Sequence, residues 1–89
     1  RDAAMIVGEE IPAQELFDTI KGLGVSLLEE VNVFDVYYGG NIPEGKRSIA
    51  VRLMYRSPDR TLTDEEVNIA HAAILSKLKD RFGIEVRGE

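Results

Sequence analysis

The sequence contains no cysteine and no tryptophan, and His71 is its only histidine. The absence of cysteine excludes disulfides and thiolate metal sites, and a single histidine leaves zinc without most of the ligands it prefers. No apolar run approaches the roughly 20 residues of a membrane-spanning helix, and the first residues lack the layout of a signal peptide. These absences favour a cytoplasmic chain with no membrane partner and no metal site.

The length limits the chain to one domain. Its 89 residues can form a modest core but leave no room for a large catalytic cleft beside it. The sequence begins directly on strand-like residues. We therefore expect residues 1–89 to be a single domain cut from a longer polypeptide.

Negative charge dominates the chain, but one segment reverses it. The formal net charge is −5, made up of −7 over residues 1–45, +4 over residues 46–60 and −2 over residues 61–89. Phosphate contacts need local positive charge, which only the middle segment offers. Its cations, which we call the basic segment, are Lys46, Arg47, Arg52, Arg56 and Arg60. The alternative is the solvated face of an ordinary soluble domain.

Hydrophobic spacing divides the chain into six elements. Residues 3–7 are predicted to form a strand, 11–24 a helix, 25–40 a long strand, 47–56 an alternating strand, 63–82 a helix and 84–86 a last short strand. The β-α-β-β-α-β order predicts an α+β, ferredoxin-like sandwich: a four-stranded antiparallel sheet with two helices on one face. Regulatory, metal-carrying, hydrolytic and RNA-binding domains share this fold, so it leaves the function open.

Strict alternation in the third strand predicts which side chains face the helices. Ile49, Val51, Leu53 and Tyr55 are expected on the helix side. The opposite, solvent-open side should carry Ser48, Ala50, Arg52, Met54 and Arg56. In the second strand, alternation predicts one face for Phe34 and Val36 and the other for Asp35 and Tyr37, with Tyr37 on the side of Arg52.

The second helix has a recognisable start. Thr63 followed three residues later by Glu66 predicts a capping box, and Asp64 and Glu65 suit the positive end of the helix dipole. This capping role explains the acidic run better than a cation site does. The helix is predicted to end at Gly83. Its predicted buried residues are Val67, Ala70, Ile74, Leu78 and Phe82, with His71 packed beside them.

The sequence shows no catalytic constellation. His71 has no nucleophile or second ligand at a useful spacing. An acylphosphatase-like enzyme would need an arginine after the first strand, where "VGEEIP" offers two glutamates. A binding face is better supported, because guanidinium groups, hydroxyls and an aromatic ring on an open sheet suit single-stranded RNA. Arg52, Arg56 and Tyr37 would supply these groups, and the small Ser48 and Ala50 would leave space above the sheet.

Several separated motifs carry a family resemblance. They are "FDVY" (34–37), "GKRS" (45–48) and "RTLTDEEV" (60–67), with "RDAAMIV" at the start and "RG" (87–88) near the end. Over essentially its whole length, the chain resembles the ferredoxin-fold anticodon-binding domain at the carboxyl end of the bacterial phenylalanyl-tRNA synthetase beta subunit.

The resemblance implies a non-catalytic RNA-binding module of an aminoacylating enzyme with two alpha and two beta subunits. It implies phenylalanine tRNA and the rest of both subunits as partners. ATP, magnesium and phenylalanine would be bound by the alpha subunit, so no cofactor is expected in this domain. Together with the basic segment, it gives the candidate tRNA-binding residues Tyr37, Lys46, Ser48, Arg52, Arg56 and Arg60.

Two other functions remain open at this point. The first is a small-ligand regulatory module of the amino-acid-binding type, which has the same β-α-β-β-α-β order. The second is a structural role, in which the domain only packs against its parent chain.

Overall fold

The computed structural model describes residues 1–88, which form the six predicted elements in the predicted order. The bounds are β1 Asp2–Gly8, α1 Ala13–Gly22, β2 Leu28–Tyr37, β3 Lys46–Tyr55, α2 Asp64–Phe82 and β4 Glu85–Gly88. The strands pair antiparallel in the order β2-β3-β1-β4. This order confirms the ferredoxin-like α+β fold.

Both helices cover the same face of the sheet. Side chains from α1 and α2 meet those of β1 and β3 in one core, whose fully buried members are Met5, Val7, Leu16, Ile20, Ile49, Val51, Leu53, Ile74 and Leu78. Arg52 and Met54, which alternate with the core residues of β3, are exposed on the opposite side. We call this opposite side the outer face. The predicted facing of β3 is thus confirmed from Ile49 to Tyr55.

Helix α2 begins and ends as its sequence predicts. The Thr63 hydroxyl accepts from the amide of Glu66, and the Glu66 side chain accepts from the amide of Thr63, which completes the capping box. Gly83 ends the helix with a left-handed φ of 64°, a conformation that favours glycine. The start and the end of this long helix are therefore fixed by local interactions.

The buried stripe of α2 differs in detail from the prediction. Ala70, Ile74 and Leu78 are buried as expected, whereas Val67 and Phe82 are only half-buried. His71 and Leu75 complete the stripe. The prediction of a packed histidine is confirmed, since the Tyr55 hydroxyl lies 2.8 Å from Nδ1 of His71. Burial raises the pKa of Tyr55 to about 12.

Strand β2 contains a bulge that changes which side chains share a face. Val33 pairs with Val51 and Asp35 with Ala50, so Phe34 is an extra residue in the ladder. The predicted pairing of Phe34 with Val36 on one face is therefore wrong: the Phe34 ring lies beside Arg52 on the outer face, whereas Val36 pairs with the core residue Ile49. The shared face of Asp35 and Tyr37 is confirmed.

Arg47 belongs to the interior of the fold. It is buried, and its guanidinium donates to the carbonyl oxygens of Gly8, at 2.7 Å, and Ile11, at 2.5 Å. These bonds tie β3 to the connection between β1 and α1. Arg47 must therefore be removed from the exposed cations of the basic segment, because its charge satisfies backbone carbonyls inside the molecule.

Candidate nucleic-acid interface

The outer face has a floor of small residues rather than an open space. Ser48 and Ala50 lie on the central strand β3 and are only 7% and 9% exposed. Ser48 is flanked by Ile6 and Tyr37, and the neighbouring strands enclose Ala50 in the same way. The expectation that these two residues are open to solvent is wrong, because the flanking side chains cover them. The chemistry of the face is thus carried by the larger side chains around this floor.

Tyr37 is the most exposed aromatic ring on β2. It is 57% exposed and lies opposite Ser48, on the outer face as predicted. A hydrogen bond to Asp35 raises the pKa of Tyr37 above its ordinary value of 10.0 and thus further from neutral pH. The last residue of β2 thus presents a neutral ring with a polar tip.

Arg52 is held in place by Asp2 and lies beside an aromatic ring. Its Nε donates to Asp2 Oδ1 at 2.8 Å and its Nη2 to Oδ2 at 3.2 Å. The hydrogen bond from Arg52 lowers the pKa of Asp2. Cζ of Arg52 lies 5.0 Å from the centroid of the Phe34 ring, which is within the range of cation–π attraction. Asp2, Arg52 and Phe34 form one exposed cluster, which we call the stacked cluster.

Arg56 is a highly exposed and weakly paired cation near this face. It directly follows β3, its side chain is 74% exposed, and its nearest acidic oxygen, on Glu29, is 3.8 Å away. With Ser26 and Pro58 these two residues line a shallow pocket of about 450 Å³. Lys46, at the opposite end of β3, is exposed as well. The two residues place free positive charge at both ends of the strand.

Arg60 lies apart from these groups, in the loop before α2. Its Nη1 donates to Glu66 Oε1 at 2.7 Å, and this hydrogen bond is the main cause of the lowered pKa of Glu66. Arg60 therefore stabilises the capping glutamate of α2. Its side chain remains 55% exposed, so it can still meet a ligand at the edge of the sheet.

The structure thus brings together some of the predicted site residues and adds others. Tyr37, Ser48 and Arg52 share the outer face, Lys46 and Arg56 lie at the two ends of β3, and Arg60 stands apart. Phe34 and Asp2 were not among the candidates. Phe34 was missed because a bulge leaves no mark in a single sequence, and Asp2 because it lies 50 residues from Arg52.

This arrangement offers groups that are suited to binding a nucleic acid. It offers rings, guanidinium planes and exposed cations on a rigid sheet, which are groups that stack on bases and pair with phosphates. Within residues 1–88, no three His, Asp or Glu side chains are grouped so that they could hold a metal ion. In the same range, no helix is long and apolar enough to cross a bilayer.

Comparison with known proteins gives a consistent result. The family model described as "Ferredoxin-fold anticodon binding domain" matches residues 1–87. The phenylalanine–tRNA ligase beta subunit of Clostridium tetani is 46% identical over 87 residues, which cover 98% of this chain and 11% of that protein. The corresponding subunit of Corynebacterium efficiens is 43% identical over 88 residues, covering 99% of this chain and 10% of that protein.

The same subunit of Bacillus subtilis is 43% identical over 88 residues, covering 99% of this chain and 11% of that protein. The chain therefore spans about a tenth of the length of these curated relatives.

Proposed function

This chain belongs to the ferredoxin-fold anticodon-binding domain family, and on that premise we propose that it binds the anticodon region of phenylalanine tRNA through its outer face. Binding would help to select and position the tRNA for aminoacylation. The observation that carries the proposal is the exposed Tyr37 ring on the same sheet face as the guanidinium of Arg52.

The helix-free side of the sheet suits single-stranded RNA for a physical reason. The unpaired bases of an anticodon loop expose π-faces and hydrogen-bonding edges, which aromatic rings and guanidinium planes recognise. The opposite face is filled by α1 and α2, which leave no open surface there for a base. A rigid sheet also holds its side chains in place before the RNA arrives, which lowers the entropic cost of binding.

Charge on the outer face limits the affinity of the isolated domain. Arg52 is already paired with Asp2, and Arg87 of β4 with Glu85. Few cations are therefore left to release counterions from the phosphates. We propose that the domain acts together with other RNA-binding parts of its parent protein, whose linkage raises the effective concentration of the tRNA.

The parent protein follows from the same proposal. It would be a phenylalanine–tRNA ligase beta subunit, joined to catalytic alpha subunits in a cytoplasmic enzyme of two alpha and two beta chains. ATP and magnesium would be bound outside this domain. The domain itself would be non-catalytic and would contribute only tRNA contacts.

An NMR titration tests the proposal and separates it from its two rivals. The isotope-labelled 89-residue chain is titrated with the anticodon stem-loop of phenylalanine tRNA, and in parallel with free amino acids. NMR detects even millimolar binding and shows which amides respond. The proposal predicts shifts in β2 and β3 with the stem-loop, little change in the solvent side of α2, and none with amino acids.

The other outcomes are equally clear. Saturable shifts with an amino acid alone would favour the regulatory module. No shift with either ligand would favour a structural role and would contradict the proposal. The matched control is a fully paired RNA duplex with the sequence of the stem, which offers no unpaired bases. It should bind more weakly than the stem-loop.

A further inference from the structure

Resting on the proposed RNA-binding function, we propose that Phe34 and Arg52 form a second base-stacking point of the outer face, with Asp2 as the residue that positions Arg52. The first stacking point is Tyr37. Tyr37 lies opposite Ser48, four residues from Arg52, so the two points are roughly 13 Å apart along β3. The ligand of the second point is an unpaired nucleobase.

The bulge in β2 displays Phe34 on the outer face together with Tyr37. In a regular strand, Phe34 and Tyr37 are three residues apart and would therefore point to opposite sides of the sheet. The bulge places both rings on the outer face, and Phe34 remains 50% exposed there. Phe34 is not an isolated exposed side chain, because Tyr37 and Met54 are exposed on the same face, and such a group of large exposed side chains favours a role in binding.

Arg52 is better suited to stack on a base than to neutralise a phosphate. Asp2 accepts from two nitrogens of its guanidinium, which fixes the orientation of the plane and offsets its charge. A fixed guanidinium plane stacks on flat π-systems, as it already approaches the Phe34 ring. The side chains of Arg52 and Asp2 are still 54% and 51% exposed, so a base can reach the plane.

The spacing of the two stacking points fits a short unpaired strand. Stacked nucleotides rise about 3.4 Å each, and more when the strand is extended. A few consecutive nucleotides therefore bridge the distance between Tyr37 and the stacked cluster. The two points should engage different bases of the same loop.

The experiment pairs protein variants with RNA lesions. Anticodon stem-loops are made with one abasic nucleotide at each loop position in turn, and their affinities are measured for the wild-type chain, Phe34→Leu, Phe34→Tyr and Tyr37→Ala. Phe34→Leu should weaken binding of the intact loop about 5- to 20-fold, and Phe34→Tyr should restore it. At one loop position, the abasic lesion should weaken wild-type binding about as much as Phe34→Leu does, and it should hardly weaken the binding of Phe34→Leu itself. We call this non-additive effect coupling. The lesion that couples to Tyr37→Ala should lie at a different loop position.

Asp2→Asn tests the positioning role. The amide keeps the shape of the side chain but loses its charge, which frees the guanidinium of Arg52. The coupling at the position assigned to Phe34 should shrink, and the salt dependence of binding should steepen, because Arg52 can then meet a phosphate. A purely structural role of Asp2 would leave both quantities unchanged.

Failure of this inference differs from failure of the proposed function. If Phe34→Leu binds like wild type while Tyr37→Ala binds weakly, the second stacking point is overturned and the RNA-binding face stands. If Phe34→Tyr loses as much affinity as Phe34→Leu, the aromatic ring is not what binds, and the inference is again overturned. If the wild-type chain binds the anticodon stem-loop no more tightly than the fully paired duplex, the proposed function itself fails. Thermal melting of each variant confirms that it is folded.

Discussion

Arg60 and Glu66 are joined by a hydrogen bond of 2.7 Å, and Glu66 is also the residue that closes the capping box with Thr63. One carboxylate thus links the loop before α2 to the first turn of the helix. The loop is part of the motif "RTLTDEEV", so this part of the sequence is explained by helix initiation. A contact of Arg60 with RNA would come in addition to this structural role.

The cap makes a measurable contribution to stability. Thr63→Ala removes the oxygen that accepts from the Glu66 amide, and it should lower the free energy of unfolding by about 1 kcal/mol. Urea titration measures the change, and Thr61→Ala, which lies before the cap, is the matched control. Equal stability of Thr63→Ala and wild type would show that the capping box contributes nothing.

Glu66 should also make stability depend on acid. Its pKa is lowered in the folded state from the ordinary value of 4.5, chiefly by Arg60. Between the folded and unfolded pKa values the unfolded chain binds more protons, so the stabilisation is complete above about 4.5 and is lost as pH falls through the folded pKa.

The test is to follow unfolding between neutral and acid pH. Wild type should lose stability below about pH 4.5, and Glu66→Gln should lose less over the same range. The pKa of Asp2 is also lowered, so its protonation should reduce the stability of both proteins as the pH falls. Identical acid profiles for wild type and Glu66→Gln would contradict the role of the pair with Arg60.

Arg47 should affect stability through the interior of the fold. Arg47→Met keeps the apolar stem of the side chain but removes the guanidinium, which leaves the carbonyls of Gly8 and Ile11 without their donor. The loss should be about 2–4 kcal/mol, because charged hydrogen bonds inside the molecule are removed. Chemical denaturation measures it. Lys46→Met, at an exposed position, is the control. If Arg47→Met lowers the free energy of unfolding no more than Lys46→Met does, the structural role of Arg47 is contradicted.

Alternation was sufficient to predict the faces of β3, because a period of two leaves no other way to bury Ile49, Val51 and Leu53. The same alternation places Arg47 on the helix side, but its positive charge suggested a surface residue. For β2 the pattern was insufficient, since an inserted residue shifts every following side chain to the other face. The pairing of Arg52 with Asp2 depends on strand register, which no local pattern specifies.

Arg56 should control the salt dependence of RNA binding. Its side chain is highly exposed and only weakly paired with Glu29, so it is free to contact a phosphate. Arg56→Ala should flatten the slope of log K against log salt by about one unit. Arg52→Ala should change this slope less, because Asp2 already offsets its charge. Equal slopes for wild type and Arg56→Ala would remove Arg56 from the interface.

The central claim is that the outer face, and not the helix face, binds the anticodon loop. Its most direct test compares the affinity of the anticodon stem-loop for Tyr37→Ala and for Arg81→Ala. Arg81 lies in the last turn of α2, beside a groove formed with Glu15 and Asp18 of α1. Tyr37→Ala should weaken binding by roughly 1–3 kcal/mol with an unchanged salt slope, while Arg81→Ala binds like wild type. The reverse result, a loss with Arg81→Ala and none with Tyr37→Ala, would contradict the account.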